Sequence, residues 1–281
     1  MREMGRALPT RSQSVRALER FVDRNRFTIA IAFPAVGAVS LVASATGVLP
    51  PWLAFHPLFL LFGTLVMRLP LAVALAPLLG GRGVAALGGL AGYAYVVEYV
   101  GVSTGWPYGA FSYGVELGPM VGGIPVALPV FFVPLVLNSY LLSLLFLNDR
   151  WGRLPRLALA LALVLVVDLT LDPAAVALGF WTYAAGGPYY GVPLSNFAGW
   201  VLSGGVGVLA VDVAFDHAAL RQRVLDCEFA LDDLVSFVLL WGTVNVVFGN
   251  WLAVAFAGVL VGGLARSQRF DFEVGVVPTL R

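Results

Sequence analysis

The stretch Arg156–Leu178 reads RLALALALVLVVDLTLDPAAVAL, and after its first residue only Asp168 and Asp172 carry charge. At 1.5 Å per residue a helix of this length covers the roughly 30 Å hydrocarbon core of a bilayer. The stretch is therefore expected to cross a membrane. Asp168 and Asp172 are four residues apart, so a helix stacks them on one face. Pro173 disfavours the α conformation at Asp172 and predicts a bend there.

Runs of the same texture lie at 27–49, 52–67, 84–100, 124–147, 196–215 and 233–262. Together with the quoted run they make seven spans. Only 12% of the 281 residues are charged and 59% are hydrophobic, against about 25% charged in soluble domains. Residues 69–79 are apolar but short, bracketed by Arg68-Leu69-Pro70 and Gly80-Gly81-Arg82-Gly83. Were they to cross, every later loop would change sides and Arg150, Arg153 and Arg156 would face out. As a re-entrant or interfacial segment they leave Arg68, Arg82, Arg221 and Arg223 on the N-terminal side with that loop. The positive-inside rule favours this arrangement.

The expected fold is all-α: a polytopic membrane helix bundle of about seven transmembrane helices, eight if 69–79 also crosses. Its parts are an Arg-rich cytoplasmic tail at 1–26, one membrane domain at 27–265 and a C-terminal tail at 266–281. The tail carries seven Arg against Glu3, Glu19 and Asp23 and suits a solvated or interfacial anchor rather than nucleic acid. No cleavable signal peptide is expected, since those residues are polar. The last run is interrupted by Asn245 and Gly249-Asn250, so a kink or break is expected, and the side of the C-terminus stays open. The protein is read as a multi-pass cell-membrane protein with a cytoplasmic N-terminus.

All 17 basic residues are Arg. Without a Lys amine, a retinal Schiff base is excluded. The single Cys227 excludes an internal disulfide and an iron–sulfur cluster.

Two outer loops are dense in Gly, Pro and aromatics. The first follows Glu98 and holds Thr104-Gly105-Trp106-Pro107-Tyr108-Gly109, Phe111, Tyr113, Glu116 and Gly122-Gly123-Ile124-Pro125. The second runs from Gly179-Phe180-Trp181-Thr182-Tyr183 to Tyr189-Tyr190-Gly191-Val192-Pro193-Leu194-Ser195-Asn196-Phe197. Gly and Pro stop helices there, and the aromatics suit the wall of a greasy pocket. One composite site open toward the outer leaflet is expected.

Ionisable groups inside spans cost roughly 2.5–3.5 kcal/mol each at the helix centre, so they are functional candidates by default. They are Glu98, Asp168, Asp172 and Asp212. Two carboxyls held as close as Asp168 and Asp172 do not both ionise cheaply, so one is expected to carry a proton. Asn138 and Asn196 could orient water or bond a carboxyl. Asp216 and His217 read as a hydrated helix end, His56 as interfacial, and Arg68 as snorkelling to the surface. Gly204-Gly205 and Gly262-Gly263 suit close helix packing rather than phosphate binding.

In their order along residues 84–216, these motifs resemble the membrane carotenoid hydratases of halophilic archaea. Tyr108 and Phe111 stand where that family leads one to expect Phe and Tyr. The resemblance implies addition of water to the terminal double bonds of a C50 carotenoid within the bilayer, with no redox cofactor and no metal. It implies a carotenoid partner, other membrane enzymes of carotenoid synthesis as neighbours, and no nucleic acid. The matched carboxylates are Glu98, Asp168 and Asp172, and chemistry suggests the roles. A protonated Asp168 or Asp172 gives its proton to the alkene, and the other carboxylate or Glu98 holds the attacking water. Aromatic faces shelter the tertiary cation. Trp106, Tyr108, Tyr113, Trp181, Tyr189, Tyr190 and Asn196 are the expected substrate contacts.

Two other classes compete. A prenyltransferase would hold a diphosphate through magnesium on two Asp-x-x-x-Asp pairs facing one cation. Here Asp168/Asp172 and Asp212/Asp216 are expected toward opposite faces. A proton-coupled transporter also needs buried carboxyls, but the hydropathy shows no inverted repeat.

Overall fold

The computed structural model describes residues 11–147 and 150–269. The outer parts of the two expected tails, 1–10 and 270–281, lie outside the described residues.

Ten α-helices carry the fold among the described residues. α1 (Arg11–Arg24) packs on α3 (Pro57–Leu75) with Val22 buried. The inner part of the Arg-rich segment is thus a docked helix. α2 (Phe33–Ala45) continues from a π-helical turn at Thr28–Ala32. α4 is Gly81–Thr104, α5 Leu128–Phe146, α6 Arg153–Ala177 and α7 Leu194–Ala214. A short α8 (His217–Asp226) precedes α9 (Asp232–Phe248) and α10 (Trp251–Arg266). Seven of the helical stretches are long and apolar enough to cross a membrane, and α10 is an eighth, shorter apolar helix. α5 and α9 are the most enclosed, with α6 packed against both.

One expectation is corrected, and another, the break in the last run, is met. Residues 69–75 form no re-entrant or interfacial segment: they continue α3 through Pro70, and a 3₁₀ turn at Ala76–Leu78 completes one span from Pro57 to Leu78. The run split at Pro70 because proline breaks most helices, but here the residue is buried among neighbouring helices that hold the segment straight enough to continue. The last run is two helices. α9 ends at Gly249, whose φ of +73° turns the chain back so that α10 packs on α9 and α6.

The helices therefore alternate between two ends of the bundle. At one end Arg11 donates to the carbonyls of Ala76 and Leu79, and Arg223 to that of Ala74 and to Glu19. Arg221 donates to the Leu144 carbonyl, and Arg269 to those of Cys227 and Leu225. These bonds tie the start of α1, the ends of α3 and α5, α8 and the end of α10 to one face. All the described Arg residues belong to that half. The other end holds the α2–α3 turn, the Gly/aromatic loops and the α9–α10 turn.

Among the described residues, four short strands stand at the Arg-poor end: β1 (Phe111–Tyr113), β2 (Met120–Val121), β3 (Ile124–Pro125) and β4 (Trp181–Tyr183). β1 pairs antiparallel with β4, Phe111 opposite Tyr183 and Tyr113 opposite Trp181, while β2 pairs with β3. The two Gly/aromatic loops thus join into one ribbon over the ends of α4 and α6.

Candidate active site

Under this ribbon lies a cavity of about 120 Å³. α4 contributes Glu98, α5 Phe132, α6 Asp172, α7 Asn196 and Trp200, and α9 Trp241. Tyr108, Phe111, Tyr113, Trp181 and Tyr183 close it from the loops and the ribbon. The side chains at 111 and 113, like those at 181 and 183, point to one face because a strand alternates sides. That face looks down, so the ribbon delivers a layer of rings in mutual contact, Phe111 5.8 Å from Tyr113 and 5.9 Å from Tyr183. Phe132 stacks on Trp200 at 5.4 Å and Phe180 meets Trp241 edge-on at 6.0 Å, completing an aromatic wall.

Three carboxyls converge here. Asp168 is 0% and Asp172 3% exposed. The amide of Asn196 spans the pair, donating to Asp172 Oδ2 at 2.5 Å and to Asp168 Oδ2 at 3.2 Å. Tyr183 donates to the same Asp172 oxygen at 3.2 Å. Across the cavity Tyr113 donates to Glu98 Oε1. Both tyrosines lie outside the spans. Burial, reinforced by Asp172 beside Tyr183 and by Glu98 beside Tyr113, raises both phenols above their usual range, so they remain donors.

The expected bend at Pro173 is absorbed within α6, which is helical through Ala177. Proline has no N–H, which strips Leu169 of its helical partner. The Tyr189 hydroxyl donates to that carbonyl at 2.9 Å instead. Tyr189 is thus a helix fastener, its ring packed on Tyr190, Phe197 and Phe256. Tyr190 receives the backbone N–H of Leu252. Neither lines the cavity, and Trp106 is 60% exposed outside it. Tyr108, Tyr113, Trp181 and Asn196 do line it. Tyr108 is wedged over Gly199, where a Cβ would come within 2.5 Å of its ring.

Tyr183, Phe132, Trp200 and Trp241 were not singled out as site residues from the sequence. Tyr183 was legible, being two residues from Trp181 in a strand-like stretch. Trp241 gave no signal, since it sits in an apolar run like any core residue.

The remaining polar groups lie elsewhere. Asp212, sixteen residues along α7 from Asn196 and so about 24 Å away, binds Tyr140 at 2.8 Å, Arg153 at 2.6 Å and Arg156 at 2.8 Å. Asp216 caps α8 by accepting from the Ala218 N–H. The two Asp pairs thus face opposite ends of the bundle. Arg68 does not snorkel: it pairs with buried Asp233 at 2.5 Å, and Asn138 donates to that carboxylate's other oxygen. His56 stands at the start of α3 with its ring 5.0 Å from that of Phe59.

Residues 55–264 match the family described as carotenoid biosynthesis protein. The chain is 55% identical to the bisanhydrobacterioruberin hydratase of Haloarcula japonica over 273 residues, 96% of this chain and 93% of that protein. No solved structure matches.

Proposed function

The chain belongs to the carotenoid biosynthesis protein family, and from that premise we propose that it is a carotenoid hydratase. Its substrate is a C50 carotenoid of the bisanhydrobacterioruberin type, and its reaction adds water to the terminal trisubstituted double bonds. The observation that carries the reading is the cavity itself: two carboxyls, Glu98 and Asp172, with Asp168 bonded to the same amide as Asp172, and three phenols inside an aromatic wall at one end of a membrane bundle. Alkene hydration needs a proton donor, a group to take up the proton of water and a surface that tolerates positive charge, and this lining can supply all three. A carboxylic acid of the Asp168/Asp172 pair gives its proton to the less substituted alkene carbon. The positive charge falls on the tertiary carbon, where ring faces stabilise it. Water then bonds to that carbon and gives up a proton to a carboxylate, leaving a tertiary alcohol. No electrons leave the substrate, so this reading calls for an acid, a base and water.

The depth of the site suits a rod-shaped substrate. Asp172 lies five residues before the end of α6, about 8 Å along the axis, so a carotenoid end can reach it while its polyene stays in the hydrocarbon. The concentration of Arg at the other end favours a cytoplasmic N-terminus and a site toward the outer leaflet.

The test uses membranes containing the chain, given the anhydro carotenoid in heavy-oxygen water. The expected product gains the mass of one water per reacted end, with the label in the new hydroxyl. Unchanged pigment, or hydroxyl oxygen drawn from molecular oxygen, would sink the proposal. Asp172→Asn is expected to lower turnover by about 10²–10⁴-fold, the usual worth of positioned proton transfer, with Asp216→Asn as the near-silent control.

A further inference from the structure

Asp168 and Asp172 share one face of α6 and one amide partner, yet they are not equivalent. Asp172 lines the cavity and Asp168 does not. Both bonds that Asp172 accepts fall on Oδ2, from Asn196 and from Tyr183. That is the pattern for the carbonyl oxygen of a carboxylic acid, and it leaves Oδ1 to carry a proton toward the cavity. Asp168 is sealed one helical turn further in, with Oδ2 on Asn196 and Oδ1 buried without a partner among the described residues. Glu98 also lines the cavity and is held through one oxygen by Tyr113, which leaves its other oxygen for water.

We infer that Asp172 and Glu98 are the two groups that meet the substrate, as proton donor and water-holding base, and that Asp168 and Tyr183 are positioning residues acting on Asp172. The inference rests on the hydratase reading and divides the labour within it. Asp172 gives its Oδ1 proton to the alkene carbon. Water on Glu98 bonds to the cation and passes a proton to Glu98. Exchange through cavity water returns that proton from Glu98 to Asp172, so each turnover consumes one water and nothing else. Tyr183 is joined to this machinery by the pairing of β4 with β1, which sets Tyr183 over Asp172 and Tyr113 over Glu98.

Dicyclohexylcarbodiimide, an apolar reagent for protonated carboxyls, tests the geometry directly. The wild-type protein in detergent is treated and its peptides are mapped by mass spectrometry. The adduct is expected on Asp172, slowed by added carotenoid, with none on Asp168. In turnover assays Asp172→Asn and Glu98→Gln should each lose at least about 100-fold in kcat. Asp168→Asn and Tyr183→Phe should lose about tenfold in kcat at unchanged KM, the worth of one aligned hydrogen bond. A merely structural role would lower protein yield and leave the kcat of the folded fraction untouched. Labelling of Asp168 as fast as Asp172, or Asp168→Asn as inactive as Asp172→Asn, overturns the assignment. The labelling reads geometry without turnover, so an inactive wild-type protein with adduct on Asp172 overturns the hydratase reading alone.

Discussion

At the scale of single residues, the price of a buried charge decides which contacts matter. Arg68 and Asp233 pair at 2.5 Å with side chains 12% and 0% exposed. Removing one member leaves the other uncompensated, at a cost of about 3–5 kcal/mol. Arg153 also touches a buried carboxylate, Asp212, but is 53% exposed and backed by Arg156. Its loss should cost no more than about 1 kcal/mol. Thermal denaturation in detergent should therefore show Arg68→Met strongly destabilised and Arg153→Gln close to wild type. Equal effects would mean that water reaches Asp233. Tyr189→Phe is a finer probe. It deprives the Leu169 carbonyl of the donor that replaces the N–H missing at Pro173, and should cost about 1 kcal/mol. If its melting temperature matches wild type, the fastening role is wrong.

At the scale of elements, the ribbon and the α9–α10 turn do what no single helix could. Pairing β1 with β4 brings residues 68 to 72 positions apart in sequence into register and roofs the cavity with the rings of both loops. The α9–α10 turn depends on Gly249 at φ +73°, a conformation that costs a residue with a Cβ about 1–2 kcal/mol. The space around it is open, with only Trp251 Nε1 as near as 3.9 Å to a built Cβ, so backbone strain alone sets the effect. Gly249→Ala should lower stability by about 1 kcal/mol and Gly249→Asn by less, because Asn tolerates the left-handed region. The opposite order in denaturation midpoints would show that α10 is held by other means.

At the scale of the whole molecule, the eight apolar helices run alternately, so both described ends of the chain lie on the Arg-rich face. The reading of that face as cytoplasmic is tested by impermeant maleimide on intact cells. A cysteine at 186 should label and one at 152 should not, and labelling in the reverse pattern overturns the orientation. The native thiol does not confuse the experiment. Cys227 is buried, and burial pushes its thiol up to about 11. Near neutral pH it is almost wholly protonated, and the thiolate is the reactive form. It should label only once the protein is denatured.

The sequence alone determined what depends on composition and on spacing along one helix. Runs of apolar residues had to cross a bilayer, because a helix in lipid satisfies its own backbone. Asp168 and Asp172 had to share a face, because four residues make about one helical turn. The Gly, Pro and aromatic residues of the two loops raised the expectation of a pocket, and those loops do close a cavity at one end of the bundle. Tertiary structure decided what depends on contact between distant segments. Local pattern could not tell that Pro70 lies inside a helix, since only the packing of neighbours keeps such a helix intact. It could not pair Arg68 with Asp233, 165 positions away, or separate Tyr189, spent on the Leu169 carbonyl, from Tyr183 on Asp172. Nor could it show that Asp172 opens to the cavity while Asp168 is shut behind it. A helix turn fixes which residues neighbour one another along its own surface, but the elements packed around it decide which of them is left facing open space.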